Sequence, residues 1–185
     1  MQNGGSETDG VRLLTGAASV VDTLLYDDNN SNELEDDSGG IGSSFAVDVA
    51  AGHSLARIPD CTDTDDAAAD FADVASPTPG AMNVGGSTGG GDADCSVLTV
   101  TINEFMPDPA SDGGDGGYEW VELYNSGGTA IDLSGWDLIN RKSEASSKTV
   151  SIPADTIIPA GGWLVLGEEF VAEADVIVDL DMGND

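Results

Sequence analysis

Residues 97–140 read VLTVTINEFMPDPASDGGDGGYEWVELYNSGGTAIDLSGWDLIN, and this stretch decides the fold. It contains three apolar, β-rich runs separated by turn residues. Residues 97–105 form the first, closed by Pro107 and Pro109, which cannot donate to a strand ladder. Residues 119–125 form the second. Strand side chains alternate, so Val121 and Leu123 face one side, while Trp120, Glu122 and Tyr124 face the other. After the turn SGGT, residues 131–133 make a short strand, Ser134-Gly135 bends the chain, and residues 136–139 continue.

The flanks carry the same pattern. Downstream, residues 149–152, 163–166 and 176–180 are strands, with a proline-bounded turn at 153–161; only residues 168–174 suggest a helical turn. Upstream, residues 11–14 and 20–26 form a hairpin around Thr15-Gly16-Ala17, and residues 55–58 form a strand. Phe45, Val47 and Val49 alternate as a weak strand. Many short strands spaced by Gly/Pro turns predict an all-β fold, a β-sandwich.

Charge narrows the functional classes. The chain has 185 residues, with 35 acidic against five basic side chains and a net charge of −30. The excess divides equally between residues 1–83 and 97–185. Such a surface repels phosphate, so the expected partners exclude nucleic acid by direct phosphate contact and anionic membrane. No run of 18 apolar residues is present to span a bilayer. The start, MQNGGSETDG, lacks the basic and apolar regions of a signal peptide. The acidic, lysine-poor composition suggests an extracellular or cell-surface setting, and the chain reads as a piece of a longer protein.

The spaced motifs resemble a family. Ile102-Asn103-Glu104-Phe105 with Pro107, Glu119-Trp120-Val121-Glu122-Leu123-Tyr124-Asn125, Asp132-Leu133-Ser134-Gly135-Trp136-Asp137-Leu138 and Ile157-Ile158-Pro159-Ala160-Gly161-Gly162 resemble the front of a lamin tail domain, bacterial secreted type. The closing pieces of that pattern stand at the front of the chain: Val11-Arg12-Leu13-Leu14, Val20-Val21-Asp22, Ser54-Leu55-Ala56-Arg57-Ile58-Pro59-Asp60, Asp70-Phe71 and Pro77-Thr78-Pro79-Gly80. The resemblance therefore implies an immunoglobulin-like β-sandwich, circularly permuted. Residues 1–83 correspond to the C-terminal half of one repeat, 84–96 to a Gly-rich linker, and 97–185 to the N-terminal half of the next, with the halves sharing one core. The 13 linker residues reach about 43–47 Å when extended, enough to cross a sandwich whose strands span about 17–20 Å. A closed fold is a monomer; failure to close gives a swapped oligomer. In the family pattern Cys61 follows a late strand and Cys95 precedes the first, which implies a Cys61–Cys95 disulfide in an oxidising compartment.

Candidate chemistry is sparse. One histidine, His53, and no CxxC pair exclude a zinc site built from these residue types. No GxSxG nucleophile elbow is present. The acidic loop 27–43 fails the EF-hand pattern: counting from Asp28, Glu33 stands where Gly is required and Gly39 where Glu is required. Carboxylates offer two alternative weak Ca²⁺ sites, one from Asp60, Asp63, Asp65 and Asp66, the other from Glu104 with Glu119 across neighbouring strands. The favoured reading of residues 60–73 is a solvated turn with Phe71 in the core. Glu119 and Glu122, three apart on a strand, face opposite sides and cannot flank one glycosidic bond. Trp120, Trp136 and Trp163 could stack on a glycan, but the resemblance places Trp136 and Trp163 in the core. Trp120, Glu122 and Asn125 also read as structural. The chain is expected to be a non-catalytic interaction or structural module, needing no cofactor unless Ca²⁺ binds, with an unidentified protein or cell-surface polymer as partner. The alternative is an accessory domain of a secreted hydrolase, nuclease or phosphatase in type, binding Ca²⁺ or glycan.

Overall fold

The computed structural model describes residues 8–83, 100–110, 116–143 and 146–180. These residues form an immunoglobulin-like β-sandwich. Its first sheet has four strands in the order β2-β1-β8-β9, from β1 (Thr8–Leu14), β2 (Val20–Asp27), β8 (Asp137–Ser143) and β9 (Ser146–Ser151). The second has six, in the order β12-β11-β6-β5-β3-β4. These are β3 (Ser54–Arg57), β4 (Phe71–Val74), β5 (Thr101–Met106), β6 (Trp120–Tyr124), β11 (Trp163–Gly167) and β12 (Val176–Ile177). A small ladder of β7 (Ile131–Asp132) with β10 (Ile157–Ile158) completes the strands.

Alternation sorts the side chains. Val11, Leu13, Leu24, Tyr26 and Leu138 from the first sheet meet Leu55, Ile102, Phe105, Val121, Leu123, Leu164 and Leu166 from the second in one buried cluster. The Tyr26 and Phe105 rings pack edge to face, 5.1 Å between centroids. Strands from the two ends of the chain interleave: β1 pairs with β8, Leu13 opposite Leu138, and β3 pairs with β5, Leu55 opposite Phe105. The bend at Ser134-Gly135 forms as the sequence predicts; Gly135 takes φ 73°, a conformation costly for other residues.

Several local expectations need correction. Residues 45–49 make only an isolated parallel bridge, Ala46 to Tyr26. Ala46 and Val49 are the buried residues there and Val47 is 54% exposed, so the bulky alternation marked the inward face only at Val49. Residues 168–174 form turns, not helix, closed by Val171 N–H to the Glu168 carbonyl at 3.1 Å. A single helical turn, α1 (Ala67–Asp70), instead follows Asp66, whose carboxylate accepts from Ala69 N–H at 3.2 Å. A capping Asp followed by three alanines is a strong local helix signal. The expected turn at 153–161 contains β10, and β4 follows α1 directly.

The acidic loop after β2 folds over the outer face of the four-stranded sheet. Leu34 is fully buried there. The Asn30 side chain staples the loop, donating to the carbonyls of Leu34 at 2.7 Å and Gly42 at 2.9 Å and accepting from Leu34 N–H at 2.8 Å.

All three tryptophans lie between residues 120 and 163, while Leu24 lies in the other segment of the shared core. Leu24→Ala should therefore cost about 2–5 kcal/mol and lower the denaturation midpoint followed by tryptophan fluorescence. An unchanged tryptophan midpoint would show that the two segments melt independently.

Candidate functional site

The polar centre of the sandwich is Arg57 on β3, 1% exposed. An isolated guanidinium in this position would be far too costly, and every nitrogen has a partner. Nε donates to the Ile102 carbonyl at 2.9 Å. Nη2 donates to both oxygens of Asp22, at 3.1 and 2.9 Å. Nη1 donates to the Thr62 carbonyl at 2.5 Å and to Asp70 Oδ2 at 3.3 Å, with Asp63 Oδ1 at 3.4 Å. The guanidinium carbon lies 4.5 Å from the centre of the Phe71 ring. Asp22 also accepts from Ile102 N–H at 2.6 Å. Asp70 is fixed by Thr64, whose N–H and hydroxyl donate to its two oxygens at 2.8 Å each.

Beside this centre lies a small acidic cavity lined in part by Asp36, Asp37, Asp63 and Asp65. One carboxylate oxygen each from Asp22, Asp37 and Asp63 lies within 4.8 Å of the others, a spacing that a divalent cation with oxygen ligands can span. Asp37 Oδ1 is buried without a hydrogen-bond partner. Burial pushes Asp22 up to about 7, against the pull of Arg57, and pushes Asp37 up to about 6. Asp22 accepts from Arg57 at both oxygens and from Ile102 N–H at one of them, which offsets part of the cost of its burial.

A second polar cluster occupies the outer face of the six-stranded sheet. Glu104 and Glu122 stand directly opposite each other on β5 and β6, each fully buried. Like charges in this relation repel, and no Lys or Arg faces them among the described residues. The segment Thr78-Pro79-Gly80 lies over them as a strap. Thr78 N–H and hydroxyl donate to Glu104 at 3.1 Å, and Ser54 adds its hydroxyl. Gly80 N–H donates to Glu122 Oε2 at 2.5 Å, and Asn103 Nδ2 to Oε1 at 2.8 Å. Asn83 closes the strap, donating from Nδ2 to the carbonyls of Arg57 at 3.0 Å and Asn103 at 3.1 Å. Burial, then the neighbouring Glu104, pushes Glu122 up to about 8; burial raises Glu104 too.

Both clusters meet at one irregularity. The β5–β6 register shifts between Ile102 and Glu104, a bulge. Around it, the Ile102 N–H goes to Asp22, the Ile102 carbonyl to Arg57, and the Asn103 carbonyl to Asn83. Side chains from residues 22–83 thus satisfy backbone groups of residues 102–103, which buried structure requires.

Of the residues expected to bind Ca²⁺, Asp63, Asp65 and Asp66 line the one acidic cavity beside Arg57, while Asp60 lies apart. Asp60 accepts from Asn83 N–H at 3.2 Å, at the strap. Asp63 joins the Arg57 centre, Asp65 lines the cavity mouth, and Asp66 caps α1. Residues 60–73 are a solvated turn only in part: residues 64–66, 68 and 69 are exposed and Phe71 is in the core as expected, but Asp63 and Asp70 turn inward to Arg57. Glu104 is opposite Glu122, not Glu119; Glu119 lies just before β6, where its N–H meets Glu168 Oε2 at 3.4 Å. Trp120 packs in a small outer cluster with Met106 and Val165, and Trp136 rests against the main core. Trp163 stacks on Tyr124 at 5.1 Å, on the outer face, because it shares the parity of Val165 and not of Leu164. The Asn125 amide holds the carbonyls of Thr129 at 2.8 Å and Pro159 at 2.9 Å. Cys61 is buried and disulfide-bonded; Cys95 lies outside the described residues. His53 Nδ1 lies 2.6 Å from Asp73, at the surface.

Sequence reasoning missed Asp22, Asp37 and Asp70. Asp22 was within reach: it shares the parity of Leu24 and Tyr26 on β2, hence the core face.

Residues 96–182 match the family model described as Lamin Tail Domain. No curated protein and no solved structure matches the chain.

Two expectations follow. Arg57→Ala leaves Asp22 and Asp70 buried without a counter-charge and should cost about 3–5 kcal/mol in chemical denaturation; a loss below about 1 kcal/mol would remove Arg57 as the centre. Glu122 has its ordinary value near 4.5 unfolded and about 8 folded. Between these values the native state holds a proton that the unfolded state has released, so stability falls as pH rises from about 5 to about 8, by at most about 1.4 kcal/mol per pH unit for this group. Glu122→Gln should flatten the profile of unfolding free energy across that window, and a slope equal to that of the parent chain would contradict the assignment.

Proposed function

We propose, from the premise that residues 96–182 belong to the lamin tail domain family, that the chain is a non-catalytic interaction or spacing module of a secreted or cell-surface protein. The observation that carries this reading is how the reactive side chains are used. Arg57, Asp22 and Asp70 are bound to one another and to backbone at the core, and Glu104 and Glu122 are bound to the strap. None is presented to a substrate. Among the described residues no hydroxyl or thiol bonds to His53 to complete a nucleophilic pair. A buried disulfide at Cys61 agrees with an oxidising compartment, and Cys95 is its proposed partner. Residues 8–83 supply the closing strands of the same sandwich in permuted order, and the closed unit is monomeric.

A second reading, an accessory domain that binds Ca²⁺, is favoured by the convergence of Asp22, Asp37 and Asp63. A bound cation would have to share Asp22 with Arg57.

One series tests both readings. The purified chain is assayed against phosphodiester, phosphomonoester and glycoside substrates and melted across a Ca²⁺ titration. The module reading expects no turnover and a midpoint that stays flat through about 1 mM Ca²⁺. A rise of about 5 °C or more that vanishes in Asp37→Asn establishes the cation site instead. Turnover abolished by Glu122→Gln or Asp63→Asn overturns the non-catalytic assignment.

A further inference from the structure

Three exposed apolar side chains gather at one end of the six-stranded sheet: Tyr118, Phe170 and Ile177, which are 41%, 54% and 57% exposed. Ile177 lines an open pocket of about 450 Å³ together with Gly116, Gly117, Glu168, Glu169, Val178 and Asp179, and the Phe170 ring lies beside it, over Gly117, with Tyr118 against Phe170. Local structure holds it open. Gly117 takes φ 94°, and a Cβ there would fall 2.5 Å from the Phe170 ring, so the absent side chain is what lets Phe170 lie over this turn. Phe170 N–H donates to the Gly117 carbonyl at 2.8 Å, and the Tyr118 and Phe170 rings meet at 5.2 Å. Glu168 is anchored with Oε2 accepting from Gly117 N–H at 2.6 Å.

The chemistry of this end is aromatic and anionic together. Glu168, Glu169 and Asp179 face the pocket, and the rim already draws an ammonium: Lys148 Nζ lies 2.6 Å from Asp179 Oδ1. Guanidinium and ammonium groups gain from both features, by charge and by contact with ring faces. A second copy of the chain does not suit the pocket. It would bring the same charge of −30, and its three arginines are buried, at 7%, 1% and 5% exposure for Arg12, Arg57 and Arg141. Nucleic acid and anionic lipid are repelled for the same reason.

We propose that this pocket docks a basic segment of a partner protein, one that presents Arg or Lys beside an apolar side chain. The inference rests on the interaction-module reading and gives it a surface and a partner chemistry.

The test uses the whole ¹⁵N-labelled chain in about 0.15 M salt, where long-range attraction is screened beyond roughly 8 Å. The probe is the pentapeptide acetyl-Gly-Arg-Leu-Arg-Gly-amide, with a glutamine-for-arginine version as control. Amide shifts should concentrate at Gly117, Tyr118, Phe170 and Val178. Affinity should drop roughly fivefold to tenfold for the glutamine peptide and for Tyr118→Ala. Phe170→Leu, which keeps an apolar cover over Gly117, should lose affinity with its melting midpoint retained. Ile41→Ala, at an exposed apolar residue elsewhere on the acidic surface, should bind as the parent does. Shifts spread over the whole surface, equal loss in Ile41→Ala, or equal binding of the glutamine peptide or a neutral oligosaccharide would overturn the proposal. Such a failure without hydrolytic turnover removes only this surface, whereas turnover removes the module reading beneath it.

Discussion

The fold depends on burying one guanidinium between two sheets. Arg57 belongs to the six-stranded sheet, yet its strongest partner, Asp22, belongs to the four-stranded one. The pair therefore bridges the layers at a point where apolar contact is interrupted. Neither charge is tolerable alone in that position, and the attraction offsets desolvation only because the remaining donors and acceptors are also filled. They are filled by backbone: the Ile102 carbonyl, the Ile102 N–H and the Thr62 carbonyl. Arg57 thus fixes the spacing of the sheets, the position of the bulge in β5, and the path of residues 60–70, which turn inward to bring Asp63 and Asp70 to it.

The other arginines follow the same rule on a different face. Arg12 donates to the carbonyl of Asp36 at 3.1 Å and to that of Glu35, and Arg141 reaches the Glu35 carbonyl at 3.4 Å. Burial, then the proximity of Arg12, lowers the Arg141 pKa. An acidic loop is in this way pulled onto a sheet by its backbone oxygens, while Glu35 also pairs with Arg12 at 3.7 Å and Asp37 turns into the cavity. The consequence is a division of labour between signs. Arginine works inside, while the surface is left almost wholly acidic, so any partner that binds by charge must be cationic.

The strand plan was legible because it rests on period-two alternation and on Gly/Pro punctuation, both of which are local. Val121 and Leu123 inward with Trp120 and Glu122 outward is read directly from EWVELYN. What was not legible depends on partners distant in sequence. Residues 60–73 look solvated by composition, and only the knowledge that Arg57 is buried turns Asp63 and Asp70 inward. Ala46 in place of Val47 faces the core because its own N–H donates to the Leu25 carbonyl and its carbonyl accepts from Asp27 N–H across a loop, which no periodicity reports. Glu104 and Glu122 face each other rather than solvent because the strap covers them. Trp163 shows the opposite failure: its own parity with Val165 placed it on the outer face, and motif resemblance placed it in the core.

The bulge also bears on where the folding unit ends. The family match covers residues 96–182, yet the backbone groups of Ile102 and Asn103 are satisfied by Asp22, Arg57 and Asn83. The paired carboxylates Glu104 and Glu122 receive their donors from Ser54, Thr78 and Gly80 as well as Asn103. Without residues 8–83, strand β5 would lose its neighbour β3, β8 would lose β1, and two buried glutamates would keep one donor between them. Each orphaned polar group costs about 1–3 kcal/mol when it stays buried, and a domain's whole stability is only about 5–15 kcal/mol. The matched segment is therefore smaller than the unit that can fold. The order in which the two segments follow each other along the chain matters less than that both are present, because the contacts that close the sandwich run between them.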